Sequence, residues 1–478
     1  MSIRRNCHAF IAATLTTGGD ARITIQPGRP SNIYGAAPYP RALLAYAAST
    51  ANDISEDAFQ HLADFVADWN PGAELSEDAY AMLLERLRWR IRNAYGLSDD
   101  IDVIFAPSGT DLEYVALQLA RTGFGVPITN FLLGADEVGS GCLLSAAGRF
   151  FANETAIHGR IQKGDVVEGL AATEIIDIPI RNTDGVPCDS ETVRIALDEA
   201  IRKARSAGRT PLAHVVHGSK TGLVLPNLAG ISQLRASHSG RLALVVDACQ
   251  SRIEPETIRT YLDHELIVLM TGSKFMGGPP FSGFALVPKA YASRAPIAPG
   301  LAQIFRRAEW PRSWQGLEAL RVESNPGLLL RLEAAVFELE RFMETRSDDR
   351  LRVFGAFNTA IDRLADNLGV GLVGGGTRGL HTATLATLDL STLPGQPDFN
   401  YAQRLHRILA ARGIRLGQPV KCLRLPDGRW AGTLRISLSM PMIVSLAKAD
   451  DAALRARFDE DFGRITEIIR AAMQPAAA

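Results

Sequence analysis

The 478 residues are 46% hydrophobic and 22% charged with a formal net charge of -1, a balance that permits two or more packed units and excludes a polycationic surface for nucleic acid or anionic lipid. Five scattered cysteines (Cys7, Cys142, Cys188, Cys249, Cys422) contain no CxxC pair, which argues against a disulfide framework or a zinc knuckle and fits a reducing cytoplasm. Only seven of the 51 basic residues are lysines, so a lysine placed in a glycine-rich turn calls for a reason.

Along the chain, MSIRRNCHAFIAATLTTGG has two arginines and a short apolar patch but no A-x-A cleavage site, and reads as a mature N-terminus. No apolar run approaches the roughly 18 residues of a membrane span. The loop PGRPSNIYGAAPYP follows. From about residue 100, short β-rich runs alternate with helical patterns, as in a parallel sheet covered by helices. DVIFA predicts a strand, SGTD a turn and LEYVALQLA a helix. ITNFLL, EIIDIPI, AHVVH, LALVV, LIVLMT and FALVP predict further strands, apolar throughout as strands buried on both faces are. SETVRIALDEAIRKARSAG is a helix between two of them. Past SNPG, LLLRLEAAVFELERFMETR predicts a long helix leading into a new unit. There LHTATLATLDL, YAQRLHRILAARG, RGIRLG and TLRISLS compose a smaller α+β domain.

Chemistry concentrates in a few places. In SGTDLE the backbone N–H groups of Gly109 and Thr110 point out of a helix N-terminus and the hydroxyls of Ser108 and Thr110 join them, an arrangement that suits an anion; the same residue types are ordinary helix caps. LALVVDACQ ends a strand on Asp247, at the sheet edge where ligands bind in open α/β folds. Two Gly-Ser-Lys runs exist, HGSKTG with Lys220 before that aspartate and TGSKFMGG with Lys274 after it. His214 and His217 are three apart on a strand, face opposite sides and cannot share a metal ion. GSKTG lacks the frame of a nucleotide-binding P-loop.

An anion loop, then D-x-x-Q closing a strand, then a small-residue turn ending in lysine, resembles the fold-type I enzymes that use pyridoxal phosphate (PLP), within them the class V aminotransferase and cysteine desulfurase group. The likeness spans about residues 100–440. It implies an α/β fold: a large domain with a mostly parallel sheet sandwiched by helices, over about 61–310, and a smaller α+β C-terminal domain over about 311–478. Residues 1–60 would pack with the small domain and the active site. It implies Lys274 as the Schiff-base residue, Asp247 as the pyridinium partner and Gln250 near the ring hydroxyl. Ser108, Gly109 and Thr110 would hold the phosphate, with Thr271 and Ser273 standing where the group usually has Ser and His. Ser219 would replace an asparagine beside the ring hydroxyl, leaving Lys220 as a phosphate or substrate contact. Arg435 in GTLRISLS matches the arginine for the substrate α-carboxylate. Ser324 and Asn325 in VESNPGLL match a stretch that reaches a neighbouring subunit's phosphate, the alternative being a plain helix cap. Side-chain selectivity would come from Ser31, Asn32 and Tyr34.

The resemblance implies a cytoplasmic homodimer with shared active sites acting on an amino-acid substrate, without nucleic acid or membrane. Transfer of the amino group is the leading reaction. A desulfurase or other β-lyase is the second, with Cys422 before Arg435 as its thiol and Lys421 beside it to lower the pKa; a structural cysteine is the alternative there. Decarboxylation, carbon-carbon bond formation and a non-catalytic ligand-binding scaffold stay open. One departure stands out: where the group has an aromatic or histidine on the cofactor face, LLGADEVGSGCL offers Glu137, Val138 and Ser140, which suggests a specialised reaction.

Overall fold

The computed structural model describes residues 2–473 apart from 48, 68, 70–73, 135, 136, 138–140, 160, 241, 292–295 and 375–378, with backbone alone for 2–6 and 122. Val138 and Ser140 therefore lie outside the described residues.

Strand β1 (Leu44–Tyr46) belongs to the N-terminal segment. After it come β2 (Ile101–Ala106), β3 (Ile128–Leu133), β4 (Thr173–Ile178), β5 (Thr210–His217), β6 (Val224–Leu225), β7 (Ala243–Asp247), β8 (Ile267–Thr271) and β9 (Gly283–Pro288). These form one sheet in the order β2-β9-β8-β7-β5-β3-β4, with β6 against β5. Only β9 and the two-residue β6 run against the rest.

The continuous apolar runs have a direct cause. On β2, Val103 and Phe105 enter one core while Ile104 and Ala106 enter the other; on β7, Leu244 and Val246 part from Ala243 and Val245 in the same way. Successive side chains point to opposite faces, so a strand covered on both sides must be apolar at every position. One face is covered by the helices Glu77–Tyr95, Ser190–Ser206 and Pro255–Asp263, the other by Leu112–Phe124 and the segment around Trp310 and Trp314. At the sheet edge, β4 is only partly buried.

The C-terminal part holds β10 (Gly371–Leu372), β11 (Leu385–Asp389), β12 (Ile414–Leu416) and β13 (Thr433–Ser437). Strands β10, β11 and β13 make a small antiparallel sheet, while β12 pairs in parallel with β1. The N-terminal segment is thus hydrogen-bonded into the C-terminal part. No helix among the described residues is long and apolar enough to cross a membrane.

Between these parts lies the helix Pro326–Glu344, predicted from its periodicity. Pro326 opens it and Asn325 caps it, its Oδ1 accepting the Leu328 N–H at 3.0 Å. On it, Ile11 and Leu15 of the N-terminal helix Ser2–Leu15 pack against Leu330 and Ala334. Arg331, fully buried on the same helix, donates to four backbone carbonyls: Phe281 at 2.8 Å, Leu15 at 3.0 Å, Thr17 at 2.6 Å and Gly18 at 3.1 Å. Burial lowers its pKa to about 9, and the carbonyls satisfy the fork that burial would leave bare. Arg331→Met leaves those acceptors without a donor and is expected to cost about 3 kcal/mol or more of stability; denaturant unfolding checks this, and an unchanged midpoint contradicts it.

Candidate active site

The site assembles at the edge where the parallel strands end. Asp247 is the last residue of β7, and β8, its hydrogen-bonded neighbour, ends at Thr271 and turns through Gly272 and Ser273 into Lys274. On the other side of β8, Thr271 pairs with Gly283 at the start of β9, and Gly283 pairs with Ala106 at the end of β2. Ser108, Gly109 and Thr110 follow at once. A Cβ added to Gly109 would lie 2.6 Å from Thr271 Cγ2, and one on Gly283 would lie 2.8 Å from the Ser108 carbonyl oxygen. Glycine at these two places lets the hydroxyl loop lie flat against the lysine turn.

Asp247 is half-buried, and its Oδ1 accepts the Cys249 N–H at 3.0 Å, which fixes the carboxylate. Behind it, His214 Nε2 on β5 lies 3.3 Å from Glu113 Oε2 on the helix Leu112–Phe124, both residues buried. Burial holds the imidazole neutral, its pKa lowered to about 4, while burial and the charge of Asp247 push the Glu113 carboxyl well up. Neither group offers Asp247 a compensating cation. His217 faces away, toward the Tyr261 hydroxyl at 3.0 Å, consistent with opposite sides of the strand.

The remaining expected residues fall into two groups. Ser108 and Thr110 hold their hydroxyls at the loop, Ser108 donating to Asp111 Oδ2 at 2.6 Å. Arg435, buried on β13, donates to the carbonyls of Gln418 at 2.9 Å and Lys220 at 3.2 Å. Burial, against the opposing charge of Glu137, lowers its pKa to about 10. Burial, then the charge of Arg435, lowers Lys220 to about 8. Ser273 is buried beside the lysine, and Tyr34 packs edge-on against Phe281 with ring centres 5.8 Å apart.

Others already hold hydrogen bonds within the protein. Thr271 spends its only hydroxyl proton on the Cys249 carbonyl at 2.7 Å, so it has none for a phosphate. Ser219 turns its oxygen into its own loop, accepting the N–H groups of Thr221 and Leu223 at 3.2 Å each. The Gln250 carboxamide oxygen accepts from Arg252 at 2.9 Å. Asn32 accepts the N–H groups of Tyr34 and Ala36 and so closes the N-terminal loop. Asn325 caps its helix and donates to the Gly18 carbonyl at 3.0 Å, within the same chain; Ser324 beside it is half-buried. Glu137 pairs with Arg181 at 2.8 Å and accepts from Thr221 at 3.0 Å, tying three loops together. Cys422 is fully buried, and burial raises its thiol to about 11, so Lys421 produces no thiolate there.

Sequence reasoning missed Arg22. Its Nη2 lies 3.0 Å from Ser108 Oγ and its Nη1 3.3 Å from Thr110 Oγ1. Nothing in GGDARIT marks it: the contact spans 86 positions, and one arginine among so many carries no pattern.

Asp111, buried beneath Ser108, has its pKa raised to about 7 by burial, against the opposing charge of Arg22. A carboxyl raised in the folded state favours folding fully below its unfolded value near 3.8 and loses that contribution as pH rises through about 7. Asp111→Asn is therefore expected to flatten the fall in melting temperature over that window; a profile parallel to wild type contradicts the assignment.

No family model matches the chain, and no curated protein matches it. Solved structures do. A NifS-like protein is 14% identical, over 90% of this chain and 100% of that one, with a TM-score of 0.58. A cysteine desulfurase from Thermococcus onnurineus is 15% identical, over 90% and 95%, at 0.56. A serine palmitoyltransferase from S. paucimobilis is 14% identical, over 90% and 87%, at 0.53. At such identities the likeness is one of fold, and the fold is type I.

Proposed function

We propose that this chain is a PLP-dependent enzyme acting on an α-amino acid, with amino-group transfer as its reaction. One observation carries this: Asp247 and Lys274 follow adjacent strands at a sheet edge that also holds the Ser108–Thr110 hydroxyls, with Arg435 seated against the Lys220 loop. The residues fit the cofactor. The donors at this loop, the Thr110 hydroxyl, the Arg22 guanidinium and the N–H groups at a helix N-terminus, suit a phosphate.

When bound, PLP supplies an electron sink for bonds breaking at the substrate Cα. Lys274 Nζ would hold the aldehyde carbon and, once the substrate amine displaces it, move the proton at Cα. Asp247, fixed by the Cys249 N–H, would hold the proton on the ring nitrogen. The N–H groups of Arg435 left over from its two carbonyl acceptors would take the α-carboxylate, a match for a buried guanidinium that, among the described residues, is bonded only to carbonyls. Lys220, at about 8, adds a second amine able to exchange a proton near neutral pH. Sulfur removal through Cys422 is disfavoured by its buried, protonated thiol.

Borohydride reduction of protein incubated with PLP, followed by peptide mapping, is expected to place a pyridoxyl label on Lys274 and none in Lys274→Ala. A label on Lys220 would move the site to HGSKTG, and no label at all would sink the cofactor assignment. With amino donor and keto-acid acceptor supplied, Cys422→Ala is expected to keep turnover within about twofold of wild type; loss of turnover with sulfide as the wild-type product would restore the desulfurase.

A further inference from the structure

We infer that Arg22, on the chain's own N-terminal segment, is the cation of the cofactor's phosphate subsite; this rests on the PLP assignment above. A phosphate monoester at this loop needs a positive charge as well as neutral donors. Lys274 is committed to the aldehyde. Among the described residues, the one cation bonded to the side chains of the Ser108–Thr110 loop is Arg22.

Its surroundings hold a guanidinium in one plane at that place. The Phe151 and Phe281 ring centres each lie 4.6 Å from its central carbon, a double cation–π contact that resists tilting. Asp20 takes one edge of the fork, from Nε at 2.8 Å and Nη2 at 2.6 Å. The other edge is turned to the Ser108 and Thr110 hydroxyls. Arginine offers donors along both edges, and lysine does not.

The segment itself is pinned. The Gly18 carbonyl accepts from Asn325 and from Arg331, and a Cβ on Gly18 would collide with the Asn325 carboxamide at 1.7 Å. Asn325, a helix cap as its alternative reading had it, also anchors the residues that lead to Arg22.

The test compares PLP with pyridoxal, which lacks the phosphate, by titrating each into wild type, R22Q and R22K and reading the absorbance of the lysine-bound form. R22Q is expected to weaken PLP about ten- to a hundredfold, the range of a charge-assisted hydrogen bond, while pyridoxal affinity stays the same. R22K, with the charge but not the fork, should recover part of the loss, and it serves as the variant if R22Q does not fold. Equal weakening of both aldehydes, or no weakening of PLP, overturns the assignment of Arg22. If wild type binds neither aldehyde at Lys274, the PLP assignment falls and this one with it.

Discussion

The site depends on a place where there is no room for a side chain. Strand β9 runs against its neighbours and enters the sheet between β2 and β8, so its first residue, Gly283, is paired on both sides. Because Gly283 and Gly109 lack a Cβ, the hydroxyl loop, the lysine turn and the strand start lie within van der Waals distance of one another. A methyl group at either position would have to push backbone or a buried threonine aside. The hydroxyl loop is therefore placed by two contacts, Gly283 against the Ser108 backbone and Gly109 against the Thr271 side chain.

Around that contact the chain uses buried arginines in one consistent way. Arg331, Arg252 and Arg435 all give N–H groups to backbone carbonyls from distant parts of the chain, and in each burial lowers the pKa. A guanidinium keeps its charge under such conditions where an ammonium would lose it, and its planar fork spans several acceptors at once. Arg331 closes the N-terminal segment onto the lysine loop, and Arg252 joins Thr384 and Leu438 to the strand behind Asp247. Against so many arginines, Lys220 and Lys274, both in glycine-rich turns, were conspicuous.

How much could be read from the sequence divides along the same line. Strands buried on both faces announce themselves as apolar runs, and the order Asp247 then Lys274 falls on adjacent strands because β7 and β8 are consecutive and parallel. Local hydrogen bonding was harder: Thr271, Ser219 and Asn32 are polar residues at expected places whose groups are taken by nearby backbone. Composition and spacing give no hint of which acceptor a hydroxyl finds. Arg22 was invisible for another reason, since its role comes from a contact 86 positions away with residues that would look the same without it. The short β1 gave no periodicity to detect, being three residues long.

The pairing of β1 with β12 has a consequence for how the chain matures during synthesis. Everything in the large sheet is available once residue 288 has emerged, and its neighbouring strands can begin to associate as they appear. The first sixty residues cannot finish with them. The helix Ser2–Leu15 meets the helix Glu56–Phe65 early, through Phe59 and Leu62, but its contacts with Leu330 and Ala334 wait for the helix beginning at Pro326, and Leu44 waits for Ile414. This segment is thus among the last to be fixed: β1 stays unpaired until Ile414–Leu416 has been made, an interval in which a holding chaperone has something to bind.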